Sequence, residues 1–508
     1  MRFTVMILAL ILAGSMNGSV RAEDGNVQIS VVDQSNDLLP CRIHLYDKDG
    51  KPQHAGDLPF FRDHFVCPGK VRLQLPAGDY RVEIERGPEY EQYANSFTLP
   101  EFTLKQLSIC LKRIADLAAK GWYSGDLHVH RAIEDIPLLM RAEDLHVAPV
   151  ITWWNNRNLW SERQIPKNPL FKIDGDRYYH VMAGEDEREG GALMYFNRNQ
   201  YLPITGSTRE YPSPMKFINQ AREEGEVWID IEKPFWWDVP VWLASKKIDS
   251  VGLANNHMCR SRMYESEAWG RPRNTDRLPA PRGNGFWTQE IYYHILNCGL
   301  RVPPSAGSAS GVLPNPLGYN RVYVYCSDEF NYDTWWQGLK AGRSFVTNGP
   351  LLLAKANGQL PGHVFASTGE QPVEIEVEVS LISRDKVTAI EIIRNGKIEC
   401  TVPTASKSQS IDLGKMTFRR SGWFLVRAIT DLEHTFRFAT TAPYYVEVGA
   451  GKRFVSRNSA HFFLDWVAER IARVPLKLND RERLEDVLAH HQEAKKFWQR
   501  VAAEANAE

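Results

Sequence analysis

The sequence predicts a mixed α/β protein in which a central barrel lies between two β-sandwich domains and is followed by a helical tail. Three observations predict it. Period-two alternation broken by turn residues runs through 26–112, strand-like and helix-like stretches take turns over 118–350, and alternation returns over 351–447. A chain of 508 residues has room for two to four domains at roughly 150 residues each. Its hydrophobic content of 43% and charged content of 24% supply globular cores and exclude disordered and fibrous classes. With 61 Lys and Arg against 62 Asp and Glu, the net charge of −1 gives no global field for nucleic acid or an anionic membrane, and neither is expected as a partner.

The elements follow in order. Met1 and Arg2 precede an apolar run, Val5 to Ala13, and small residues lead to Ala22. This pattern predicts a secretory signal over residues 1–22 and a secreted or periplasmic mature protein. The run is about half the roughly 20 residues that a membrane span needs, and no later stretch reaches that length, so no transmembrane anchor is expected in the mature form. Residues 23–115 carry alternating segments such as Val27 to Val32, Arg42 to Tyr46 and Tyr80 to Ile84, which predict a small antiparallel sandwich. Its turn, Leu75 to Tyr80, resembles those of carboxypeptidase-regulatory-like modules.

Residues 116–350 form the barrel region. Apolar runs at Val147–Trp154, His180–Gly184, Val227–Ile231, Ser250–Ala254 and Arg301–Ala306 read as strands. Helices are expected at Ile136–Leu145, Pro214–Glu224, Val239–Lys247, Thr288–Cys298 and Tyr332–Ala341. Such alternation predicts parallel pairing, and the size suits a barrel. Residues 351–450 read as a second β domain, with Asn395-Gly396 as a hairpin turn. Residues 451–508 read as two helices packing on that domain. Seven widely spaced Cys without a CxxC pair speak against a disulfide scaffold or a thiolate zinc site.

The chemistry gathers at strand ends. In extended chain, His128 and His130 share a face and can bind one cation. Glu185, Glu232 and His257 follow other predicted strands, and active groups in barrels sit at the carboxyl ends of strands. Imidazoles with carboxylates suit zinc, manganese or iron, as one or two divalent ions. Asp126 or Asp186 would orient a ligating His or take a proton. Arg131 and Lys233, beside ligands, would bind an anionic group or a developing oxyanion.

Gly125 to Arg131, Gly184-Glu185 and Asn256-His257 resemble the PHP (polymerase and histidinol phosphatase) superfamily, and within it the carbaryl-hydrolase-like CehA/McbA group. Gly342 to Pro350, followed by a β domain, is similar to the same group. The resemblance implies a distorted (β/α)₇ TIM-like barrel, hydrolysis with up to three metal ions, and ligand roles for His128, His130, Glu185 and His257. There are departures from the family's pattern. Thr152-Trp153-Trp154 stands where a Thr-Asp-His is usual, Glu232 where a His is usual, and Gly307 to Gly311 lacks the usual Asp and His. What the resemblance leaves is His128, His130 and Glu185 for one ion, with Glu185, Glu232 and His257 for a second.

Tryptophans cluster at the same strand ends. Of the chain's 15 Trp, Trp153, Trp154, Trp236 and Trp237 sit beside the expected ligands, with Asn155 adding an amide. Aromatic faces with nearby amides suit a sugar ring or an aromatic ester. The sequence therefore predicts an exported metal-dependent hydrolase that cleaves an ester, an amide or carbamate, or a phosphoester. The competing reading is a non-catalytic glycan- or small-molecule-binding protein on a degenerate barrel.

Overall fold

The computed structural model describes residues 24–327, 329–404, 406–449 and 452–508. The expected signal segment lies outside them. Among the described residues, no helix is long and apolar enough to cross a membrane.

In the strand Asp24–Val32, Val27, Ile29 and Val31 are buried and their neighbours are not, as alternation demands. This strand pairs with Lys70–Pro76 and Leu104–Cys110. A second sheet orders Phe60–Phe61, His64–Cys67, Cys41–Asp47, Gly78–Glu85 and Tyr93–Leu99. The two sheets share one core, in which Ile29, Ile43, Leu45, Phe65, Val82 and Ile84 meet.

The central strands close into a ring whose pairing is mixed. Trp122–Gly125, Val147–Trp154 and Arg177–Arg188 run parallel. Gly191–Phe196 then turns back, antiparallel both to Arg177–Arg188 and to Trp228–Ile231. Trp228–Ile231, Ser250–Ala254 and Pro304–Ala306 resume parallel pairing, and Arg321–Tyr325 closes antiparallel to Trp122–Gly125. Parallel pairing was the expectation from the alternation, and the antiparallel interruption has a local reason. Arg188 faces Gly191 across a two-residue loop, which permits only a hairpin, since a parallel crossover needs a dozen or more residues. Gly190 and Gly191 are required there, because a Cβ would fall 2.0 Å from Asp238 and 2.2 Å from Trp236.

Helices stand close to their expected places, at Ile136–Glu143, Pro214–Glu223, Val239–Ala244, Gly283–Asn297 and Tyr332–Lys340. The last is opened by an Asn331–Thr334 capping box. It buries Trp335, whose indole N–H donates to Tyr123 O at 2.9 Å and whose ring fills the space beside Gly125. That contact steadies the first ring strand just before the histidines.

Sheet continuity runs from the ring into the C-terminal β region, because Ser344–Thr347 pairs with Phe438–Thr441. A separate sheet of Leu351–Ala356, Val373–Ile382 and Ser408–Phe418 packs over the same core. The two tail helices, Arg457–Arg473 and Arg481–Ala503, dock on the central region rather than on the preceding β domain. Arg470 binds Asp238 (2.7 Å) and Glu210 (2.6 Å), and the Trp498 indole N–H donates to Pro240 O. The tail joins the central region because its buried charges find their counter-charges there.

One carboxylate joins the three β-rich parts. Glu85, buried in the N-terminal sheet, accepts from Arg42 (2.8 Å) of its own sheet, Arg260 (2.5 Å) of the central region and Arg384 (3.5 Å) of the C-terminal region. Burial would raise its pKa, but the three guanidinium groups outweigh that and hold it well below the usual carboxylate range.

Candidate metal centre

The histidine segment is clamped by its backbone. Asp126, fully buried, accepts the N–H groups of His128 (3.0 Å), Ser308 (3.0 Å) and Gly318 (2.7 Å). Leu127 N donates to Ala306 O, His130 N to Ser310 O and Ile151 N to Val129 O. Gly307 packs on His128, where a Cβ would lie 2.4 Å from the His128 Cβ, and Gly311 (φ 102°) packs on His130 O. The segment Gly307 to Gly311 is thus the floor on which the two histidines rest. Trp153 does the same for Glu185, its indole filling the space beside Gly184.

Three donors converge. His128 Nε2 and His130 Nε2 are 3.1 Å apart, His130 Nε2 is 3.0 Å from Glu185 Oε2, and His128 Nε2 is 3.5 Å from Glu185 Oε1. One donor atom from each residue lies within 4.8 Å of the others, close enough for all three to reach one ion at bonds of about 2.0–2.1 Å. Two imidazole nitrogens facing each other at 3.1 Å need a cation or a shared proton between them. Burial disfavours charge on His128, but the Glu185 and Glu232 carboxylates outweigh it and raise its pKa to about 10. His130 is lowered, by burial first, with the His128 charge adding to it.

Glu232 stands elsewhere than expected. Its Oε1 faces His128 Nδ1 at 3.4 Å, on the side of the ring opposite the converging nitrogens. It therefore does not join the trio but takes the orienting position behind a ligating imidazole, as carboxylates commonly do. Its other oxygen accepts from Lys233 Nζ and from the Trp236 indole at 3.0 Å. Lys233 is consequently spent on Glu232 and on the Trp236 ring, 4.7 Å away, and is not presented to a ligand.

His257 lies outside the trio, between Phe235 and Tyr264, with ring centroids 5.5 Å from each. Burial and then the Lys233 charge lower its pKa to about 3. Asp126 holds backbone and touches no ring, and Asp186 is paired with Arg188 through two 2.7 Å contacts, so neither is placed to move a proton. Trp153, Trp236 and Trp237 are at most 2% exposed, which leaves them no free face. They are packing residues, not ligand walls.

Trp154 and Asn155 do reach open space. A cleft of about 510 Å³ beside Glu185 is lined by Trp154, Asn155, Asn156, Glu187, Arg188 and Arg209, among others. A second cleft, of about 200 Å³, opens beside His130 and is lined by Arg131, Trp154, Arg157 and Arg163. The Trp154 ring stands between them, edge-on to His130 at 5.4 Å. Arg131 Nη1 is buried without a hydrogen-bond partner among the described residues, and its guanidinium lies over Phe61 at 5.1 Å. Sequence reading missed Glu187, which burial and then the Glu185 charge push up to about 7. Its signal was available, since it lies two residues beyond Glu185 on one strand and so shares its face.

A second trio that could hold a metal ion was also missed. His44, Asp63 and His64, in the N-terminal sheet, bring their donor atoms within 4.8 Å of one another, as His128, His130 and Glu185 do. His64 Nδ1 is 2.8 Å from Asp63 Oδ1, and His44 Nδ1 is 3.4 Å from Asp63 Oδ2. Arg42 Nε, however, donates to His44 Nε2 at 3.1 Å, which fixes the ring proton on Nδ1. An ion at Nδ1 would drive that proton onto Nε2, straight against the Arg42 N–H.

No family model and no curated protein matches this chain. Among solved structures, the Bacillus anthracis TIE protein is 18% identical over 18% of this chain and 17% of its own, with a TM-score of 0.15. The CARDB domain of a Pyrococcus furiosus protein, solved in complex with di-metal ions, is 19% identical over 20% of this chain and 96% of its own, with a TM-score of 0.12.

Proposed function

We propose that this protein is an exported metal-dependent hydrolase of the PHP type, its ring a distorted (β/α)₇ barrel, holding one divalent zinc, manganese or iron ion between His128, His130 and Glu185. The observation that carries the reading is the convergence of two ring nitrogens, 3.1 Å apart, on the Glu185 carboxylate, which lines an open cleft. A metal held there would supply Lewis acidity and make water nucleophilic near neutral pH. Glu232 Oε1, 3.4 Å from His128 Nδ1, would take the Nδ1 proton when an ion draws the Nε2 lone pair into the site. Arg131 offers its unpartnered Nη1 to a substrate oxygen entering beside His130. Trp154 and Asn155 flank the Glu185 cleft and fix a planar or polar group there. The bond cleaved is an ester, an amide or carbamate, or a phosphoester.

The test is reconstitution of purified protein with each metal, followed by a panel of aryl ester, carbamate, amide and phosphate substrates. We expect about one equivalent of bound ion, as a single site requires, and turnover of at least one class. Less than about a tenth of an equivalent under those conditions would end the hydrolase reading and leave a ligand-binding protein.

A further inference from the structure

Among the cysteines, two face each other. Cys41 and Cys67 are directly opposed on antiparallel strands, while Cys110 is opposed to Val32 and Cys400 to Ile392. Opposed residues in an antiparallel pair have Cα atoms about 4.5–5.5 Å apart, within the roughly 4.4–6.8 Å that a disulfide spans. Both are free thiols whose side chains are fully buried in the N-terminal core, so they point the same way from directly opposed positions.

We propose that Cys41 and Cys67 close into a disulfide that locks the register of the strands Cys41–Asp47 and His64–Cys67. A disulfide-class oxidant drives the step. The two thiols lose two protons and two electrons, one S–S bond forms, and the oxidant's S–S bond is reduced to two thiols. Burial means that the reaction occurs while the strand pair is open, during folding or fraying, and that the finished bond is shielded from reductants.

The lock has something to hold. His64–Cys67 is four residues long and its outer neighbour, Phe60–Phe61, only two. A slip of one residue would turn His64 into the core and Phe65 out of it. The same hairpin reaches the barrel, where Phe61 lies under Arg131 and Arg62 Nη2 donates to Val312 O at 2.8 Å. Arg131 lines the cleft beside His130, so a tie at Cys67 holds one wall of that cleft through the hairpin.

The experiment is to refold the full chain in oxidised glutathione, alkylate free thiols under denaturing conditions, and map the peptides by mass spectrometry. A Cys41–Cys67 peptide lighter by two hydrogens, with Cys298 alkylated, is expected. Alkylation of Cys41 and Cys67 to the same extent as Cys298 would overturn the proposal. Hydrogen exchange then tests the lock, with amides 60–67 in the oxidised wild type slowed at least about tenfold relative to the reduced protein. Equal exchange in the two forms would refute it. Cys67→Ser should exchange like the reduced protein, and if that variant does not fold, the comparison of the two wild-type forms still decides.

Discussion

His128, His130 and Glu185 in the ring, and His44, Asp63 and His64 in the N-terminal sheet, are each two imidazoles and one carboxylate with donor atoms within 4.8 Å. They part company in what lies behind the donors. Behind His128 stands the Glu232 carboxylate, an anion 3.4 Å from the outer nitrogen whose Oε1 has no hydrogen-bond donor among the described residues. Behind His44 stands the Arg42 guanidinium, which donates and occupies the outer nitrogen. In the ring, His130 Nδ1 is a buried orphan among the described residues, whereas no atom of the second trio is. Donor count alone would rank the two as equals. Second neighbours make one a site that could hold a cation and the other a hydrogen-bonded joint.

The largest effect tests that contrast directly. His130→Ala should lower affinity for the bound ion by at least about a thousandfold, while His44→Gln should leave metal content within about twofold, both read by elemental analysis after dialysis. Equal losses would erase the difference. Acid separates the trios next. Burial first, then the neighbouring His44 and Arg42 charges, hold His64 down at about 3. The unfolded chain therefore takes the proton more readily than the folded one. The stabilisation is complete above about pH 6.5 and drains away as the pH falls toward 3, by at most about 1.4 kcal/mol per unit for this one group. Denaturant titrations at pH 7, 5 and 4 should show a shallower decline for His64→Gln than for the wild type, and identical declines would remove His64 as the cause. Asp63, whose carboxyl is held far below its usual range by the two histidines despite its burial, acts in the same direction below about pH 4. The smallest effect sharpens the role of Glu232. Glu232→Gln should weaken metal binding by about ten- to a hundredfold with stoichiometry unchanged, and loss of stoichiometry would make it a ligand after all.

Periodicity made much of the molecule legible. The strands at Val147–Trp154 and Ser250–Ala254 and the helices at Pro214–Glu223 and Tyr332–Lys340 fall almost where alternation and apolar spacing put them. His128, His130 and Glu185 could be gathered because barrels bring strand ends together. The role of Glu232 could not be read, because a ring has two nitrogens and sequence does not say which one a neighbour meets. Asp126, Asp186 and Lys233 looked catalytic until their backbone and ion-pair partners were known. The tryptophans were read as a wall because their position beside the ligands is visible in the chain, but not the depth at which Trp153, Trp236 and Trp237 lie. The second trio depends on the register that sets His44 near His64, and no spacing rule gives that.

The meeting of Arg42, Arg260 and Arg384 on Glu85 makes the boundaries near residues 115 and 350 seams in the chain only, not seams in the solid. A fragment cut at either one would part Glu85 from Arg260 or from Arg384 and open a face that is closed in the whole chain. Through that one side chain the small β module at the head touches both other regions, less an accessory to be shuffled than a keystone.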